Sequence, residues 1–250
     1  MSTDTTRSTR LRRAGLRIGL AALLAACAPL APSPPATPAP SAGAPNLEAG
    51  FNQAPYLAAR ARGELVLRID PQASLIAVTV RRGGTLARLG HDHIVASHTL
   101  AGFVAPGLGR ADLHFRLDQL SIDETDLRGA AGFDTQPSAD AIAGTRRNML
   151  VKVLDAERYP DVLLGVTQAA PDAPLMLAIT LHGVTRGMPL AAAIERDAAG
   201  RRLVASGTLE LKQSDFGIVP FAVLGGALAV QDRMELRFRI VAVTEVAAAP

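Results

Sequence analysis

Cysteine is nearly absent, with one residue, Cys27, in a chain of 250. One thiol can form no intrachain disulfide and no Cys-rich zinc module, so the fold must be held by a hydrophobic core. Tryptophan is missing and aromatic residues make up only 4%, which weakens any case for a base-stacking nucleic-acid surface. The apolar stretch near the start, Ile18 to Ala26, is far too short to span a bilayer. No Gly-rich phosphate loop occurs; Arg82-Gly83-Gly84-Thr85 suits a hairpin. There is no Gly-x-Ser-x-Gly elbow beside Ser214 or elsewhere, and no His-x-x-x-His spacing. The apparent basicity is local. Setting aside Asp4 and the five arginines of residues 1–26 reduces 26 basic and 23 acidic residues to 21 and 22. A nearly neutral body gives no electrostatic argument for nucleic acid.

What is present begins with an address. Arg7 to Arg17 form a positive n-region, and Ile18 to Ala26 is the length of a signal-peptide apolar core. It ends in Leu24-Ala25-Ala26-Cys27, a lipobox, and the single Cys of the chain occupies the position that receives the lipid. The expectation is a lipoprotein signal over 1–26 and a lipidated Cys27. Ala28, where Asp would signal inner-membrane retention, favours a periplasmic protein on the outer membrane of a Gram-negative cell. Residues 27–62 read as a Pro/Ala-rich linker that cannot build a core.

From about Gly63 to residue 245 the pattern becomes one β domain. Leu65, Leu67 and Ile69 alternate with Val66, Arg68 and Asp70. The runs around Ile76–Val80, Leu113–Leu117, Leu175–Leu181, Leu190–Ile194, Leu203–Leu211 and Met234–Ile240 alternate in the same way. Period-two alternation marks half-buried strands. Thr145 to Leu154 instead has helical spacing and stops before Pro160. Ser138 to Gly144 reads as a second short helical or loop piece. At least seven strands and one or two short helices predict a mainly β chain, an antiparallel lipocalin-like barrel. Such an interior is either packed with side chains or open to one ligand.

Five ordered stretches carry a family resemblance. They are Asp70-Pro71 through Ile76–Val80, Leu120-Ser121-Ile122-Asp123, and Met149–Leu154 followed by Tyr159-Pro160-Asp161-Val162. Leu181-His182-Gly183-Val184-Thr185 and Ser214-Asp215-Phe216-Gly217-Ile218 complete the set. Together they resemble the YceI-like family of exported lipocalin-shaped proteins. The resemblance implies a barrel whose apolar cavity holds a polyisoprenoid chain, such as an isoprenoid quinone, with no catalytic activity. Leu89-Gly90-His91-Asp92-His93 resembles a Gly-His-Asp-His branch of the family, and Leu127 to Asp134 lacks the family's usual acidic-His-Leu-Arg run.

His91 and His93 are the leading polar candidates, since residues two apart on a strand share a face. At a barrel mouth they could hydrogen-bond a headgroup. Alternatively, with His98, His114 or His182 as third ligand, they could bind a metal ion. The apolar wall is assigned to Phe115, Leu177, Ile179, Leu209, Met234, Leu236 and Phe238, with Phe216 folding back to join it. His182 is expected to make a structural hydrogen bond at a tight turn. Arg146 and Arg147 could meet a pyrophosphate but read better as a solvated helix face. The expected function is a lipid-anchored binding protein with no catalytic residue, resident metal or cofactor. A packed barrel that meets an envelope partner, and a His-based metal binder, remain alternatives.

Overall fold

The alternating runs become strands of one antiparallel sheet. The computed structural model describes residues 52–133 and 135–244, so the signal, Cys27 and most of the linker lie outside the described residues. Thirteen strands occur among them. The first six are β1 (Leu67–Ile69), β2 (Leu75–Gly83), β3 (His93–Ser97), β4 (Ala101–Ala105), β5 (Arg110–Arg116) and β6 (Ser121–Ile122). Then come β7 (Asp161–Thr167), β8 (Leu175–Leu181), β9 (Val184–Leu190) and β10 (Ala193–Arg196). The last are β11 (Arg202–Lys212), β12 (Ala222–Val223) and the long β13 (Leu228–Val243).

Hydrogen-bonded neighbours run β6-β3-β2-β13-β1-β4-β5-β7-β8-β9. β13 organises the sheet. One edge pairs with β2 through residues 229–239 and with β1 at its end, while the other pairs with β11. The expected closure of the barrel needs correction. Backbone pairing stops at β9, and β10 belongs to β11. The gap is spanned covalently, because β9 runs through Ala191-Ala192 into β10. Gly207 on β11 permits the close approach there. A Cβ at Gly207 would lie 2.7 Å from the Ala191 carbonyl oxygen and 2.9 Å from the Phe238 ring.

Three short α-helices among the described residues decorate the sheet. The first, α1 (Ala54–Ala61), lies inside the stretch read as linker. Tyr56 and Ala59 are fully buried with Val66, Phe103 and Ala105, and the Tyr56 hydroxyl donates to Asp112 Oδ2 at 2.7 Å. Burial, and then this bond to a carboxylate, push the Tyr56 pKa well above its ordinary value. α2 (Thr125–Ala130) covers the outer side of β3, where Ala77, Ile94 and Ala96 are buried against Leu127 and Phe133. α3 (Ala139–Arg147) starts at a Ser138 side-chain cap and runs directly into a π-helical turn at Asn148–Val153. The two expected helical pieces are therefore one continuous element. Arg146 is not on a solvated face, since it donates to the Leu120 and Asp118 carbonyls and ties α3 to the start of β6.

The β8–β9 hairpin turns on His182 and Gly183, both at positive φ (52° and 74°) between the paired Leu181 and Val184. This is the geometry of a type I′ turn, whose backbone twist matches the strands. His182 is structural, as expected: its ring meets Tyr159 edge-on at 4.8 Å and Nδ1 lies 3.3 Å from the Phe216 carbonyl. A Cβ on Gly183 would sit 2.6 Å from the Tyr159 ring. Gly183→Ala is therefore expected to destabilise the domain by about 1–3 kcal/mol, read by denaturant unfolding. Wild-type stability would show that the turn relaxes freely.

Candidate functional site

The inward faces of the strands do not meet. They enclose an elongated cavity of about 530 Å³, within the span of about 300–1,000 Å³ usual for ligand sites. Leu203 and Leu211 both line it and stand eight residues apart on β11, about 27 Å at strand rise. Its middle is aliphatic, built from residues such as Val78, Val95, Leu164, Ala205 and Leu209. The packed-barrel expectation is thereby set aside.

Polar side chains gather at the two ends. Register places Arg82, His91 and His93 at one, because His93 pairs with Val80, Val80 with Met234 and Met234 with Leu211. Arg110, Gln168 and Arg196 mark the other. The histidine end is flanked by exposed apolar side chains. Leu89 is 60% exposed, and Leu224 71%. Their loops are tied together where the Leu86 amide donates to the Ala227 carbonyl at 2.7 Å. Val151 of the π-helical turn, 68% exposed, stands beside Lys152, whose ammonium lies over the cavity-lining Phe221 ring.

Nine of the ten residues proposed from sequence lie in the wall: His91, His93, Phe115, Leu177, Ile179, Leu209, Met234, Leu236 and Phe238. Phe216 does not. It is fully buried within the core, in the short helical turn Gln213–Phe216. That turn is fastened by the Ser214 hydroxyl donating to Asp232 Oδ2 at 2.6 Å, which gives Ser214 a structural role. Met149, Val153 and Leu154 also enter the wall. The π-helical turn closes its hydrogen bond one residue later than an α-helix, with the Leu154 amide donating to the Met149 carbonyl.

The histidines do not assemble a metal cage with the candidate third ligands. The rings of His91 and His93 meet edge-on at 6.3 Å, but His93 Nδ1 is engaged by Asp123 at 2.6 Å. His98 pairs outside with Glu124, His114 is buried within β5, and His182 lies in its turn. Among the described residues no group of three His, Cys, Asp or Glu side chains has ligating geometry.

A buried polar network that sequence reasoning missed stands behind His93 instead. Asp123 is wholly buried at positive φ (58°) just after β6. Its Oδ2 meets His93, and its Oδ1 accepts from the Ile94 amide at 3.1 Å and from Arg128 Nη1 at 2.7 Å. Arg128, 2% exposed, also donates to the carbonyls of Asp92 and Thr135. Burial raises the proton affinity of the Asp123 carboxyl. The hydrogen bonds from His93, the Ile94 amide and Arg128 outweigh it and hold the carboxyl below the usual carboxylate range. The partner His93 lies thirty residues earlier in the chain than Asp123.

The family model of the YceI-like domain matches residues 67–242, more than two thirds of the chain. The chain belongs to the YceI-like family. Among solved structures, its domain is similar to a polyisoprenoid binding domain from Saccharophagus degradans implicated in plant cell wall breakdown. The identity is 13% and the TM-score 0.51, covering 71% of this chain and 98% of that one. Burkholderia cenocepacia BcnA gives 13% identity and a TM-score of 0.49, covering 69% and 98%. None of the curated proteins compared matches the sequence. At this identity the first likeness supports the YceI-like fold, with its mainly antiparallel sheet around an apolar interior, and nothing about ligand.

Proposed function

We propose that the chain is an exported, lipid-anchored binding protein that holds a polyisoprenoid or similar amphiphile, such as an isoprenoid quinone, without transforming it. The observation that carries this reading is the cavity: long, aliphatic along its middle and polar at its ends. A chain-like apolar tail fits the middle, and a polar headgroup fits the His91–His93 end, the layout usual for small-molecule sites. The ligand class in this proposal is carried over from what that Saccharophagus degradans domain is named for binding, alongside family membership. Acyl chains on Cys27 would hold the protein at the membrane, since more than one chain makes attachment stable. The wall residues Phe115, Leu177, Ile179, Leu209, Met234, Leu236 and Phe238 are proposed as tail contacts.

Vesicles carrying a tritiated polyprenol test the binding. Delipidated protein is expected to remove the label into the aqueous phase after the vesicles are floated away, up to one ligand per chain. No label above that carried by an unrelated β protein would contradict the reading. For the anchor, Cys27→Ser is expected to move the protein from the membrane to the soluble fraction with an unchanged melting temperature. Membrane attachment that persists in a chain whose mass shows a cleaved N-terminus would argue against lipidation.

A further inference from the structure

We propose that His93 selects ligands whose polar end carries a hydroxyl, a hydrogen-bond donor, over those ending in a carbonyl or ether. This deepens the binding function proposed above and rests on it. For an isoprenoid quinone it means the reduced hydroquinone rather than the quinone.

The argument runs through the proton on the imidazole. Asp123 lies within hydrogen-bond distance of a guanidinium, a backbone amide and His93 Nδ1. An ionised carboxylate can only accept hydrogen bonds, so the 2.6 Å contact with His93 requires the proton to sit on Nδ1. In neutral imidazole the other nitrogen, Nε2, then holds a lone pair and accepts. The Asp123–Arg128 pair is balanced in charge and buried. His93 lines the cavity and is 14% exposed at the side chain. Among the described residues none bonds its Nε2. Val95 and Ser97, on the same face of β3, continue the wall inward. A tail in the cavity would therefore bring its polar end to Nε2. A hydroxyl donates there, whereas a carbonyl or ether sets lone pair against lone pair. Arg82, a donor at the same end, stands one strand repeat further out, about 7 Å. It is engaged by the Gly90 carbonyl at 2.9 Å and faces Asp92.

The network also fixes where Nε2 points. Asp123 cannot follow a moving imidazole, because Arg128 and the Ile94 amide hold its other oxygen. Second-group orientation of this kind is what sets which imidazole nitrogen carries the proton.

The test compares three ligands of nearly equal tail: geranylgeraniol, the corresponding aldehyde and the methyl ether, each tritiated. The aldehyde is no bulkier than the alcohol, so it controls for size. Binding to the delipidated full chain is measured by gel filtration at about pH 8, where imidazoles are ordinarily neutral. The alcohol is expected to bind about ten-fold tighter than either acceptor-only analogue. His93→Leu is expected to level the affinities of the three. His93→Gln, whose amide oxygen also accepts, is expected to keep part of the preference and serves if the Leu variant does not fold. Equal binding of all three by the wild-type chain, or tighter binding of the aldehyde, overturns the selection and leaves the cavity function standing. Binding of none of them overturns the function on which the selection rests.

Discussion

Arg128→Met is expected to destabilise the domain by about 3–5 kcal/mol, the usual cost of removing one partner from a buried ion pair. The variant would leave the Asp123 carboxylate wholly buried without its guanidinium, and two carbonyls, those of Asp92 and Thr135, without their donor. Domain stabilities are typically about 5–15 kcal/mol. The loss is therefore a large share of the total, and the melting temperature should fall by roughly 6–20 °C. Met retains apolar contact with Phe133, over whose ring the guanidinium carbon lies at 5.0 Å, so the effect reads the charge rather than the packing. The double variant Asp123→Leu, Arg128→Met should recover a good part of the loss, because it leaves no unpaired charge. A fall of less than about 1 kcal/mol, within the range of an exposed pair, would contradict the account of this network.

The same pair gives a pH dependence. The Asp123 carboxyl is held below its ordinary range in the fold. Its contribution is therefore complete above the unfolded value of about 3.9 and is lost as pH falls through the depressed folded value. Wild-type stability should decline more steeply below about pH 4 than that of the double variant. Parallel acid profiles would show that Asp123 is not held ionised by the fold.

The second large effect concerns the cavity. Ala205 lines it on β11, one strand repeat in from Leu203 and opposite Ile240 in the pairing register. Ala205→Phe would set a ring across the aliphatic passage. Tail binding is expected to fall by about 100-fold or more, while the unfolding midpoint stays level or rises, because the ring fills empty space instead of overpacking a filled core. Wild-type affinity in a folded Ala205→Phe variant would place the ligand elsewhere. A variant that unfolds would mean that the site is tighter than the 530 Å³ cavity indicates.

Much of this architecture is legible in the sequence because most strands have one face on the cavity and one toward solvent. β8, β11 and β13 show this alternation plainly, and their inward residues fall on the cavity wall. β3 does not alternate, since Ile94 and Ala96 are buried on its outer face beneath α2 while Val95 faces the cavity. That second cover removes the polar alternation, so the stretch is legible as a strand only through the His91–His93 spacing, and the strand itself begins at His93. Helix α1 was hidden by composition: its Pro and Ala continue the linker's pattern, and only Tyr56 and Ala59 seat it. Phe216 reads as a wall residue because local sequence cannot show whether an aromatic at a turn points into a void or a core. The unpaired β9–β10 junction depends on Gly207 and Ala191, sixteen residues apart, and leaves no periodic signal. The His93–Asp123–Arg128 network was illegible for the same reason. Each member looks ordinary, and their meaning lies in a contact across the sheet.

Native mass spectrometry of residues 46–250, exported to the periplasm of a host cell and purified without detergent, tests the occupied cavity most directly. The account predicts a single adduct of a few hundred daltons or more, removed by organic extraction and missing from Ala205→Phe. A bare wild-type mass that stays bare after incubation with polyprenol-containing vesicles would contradict it.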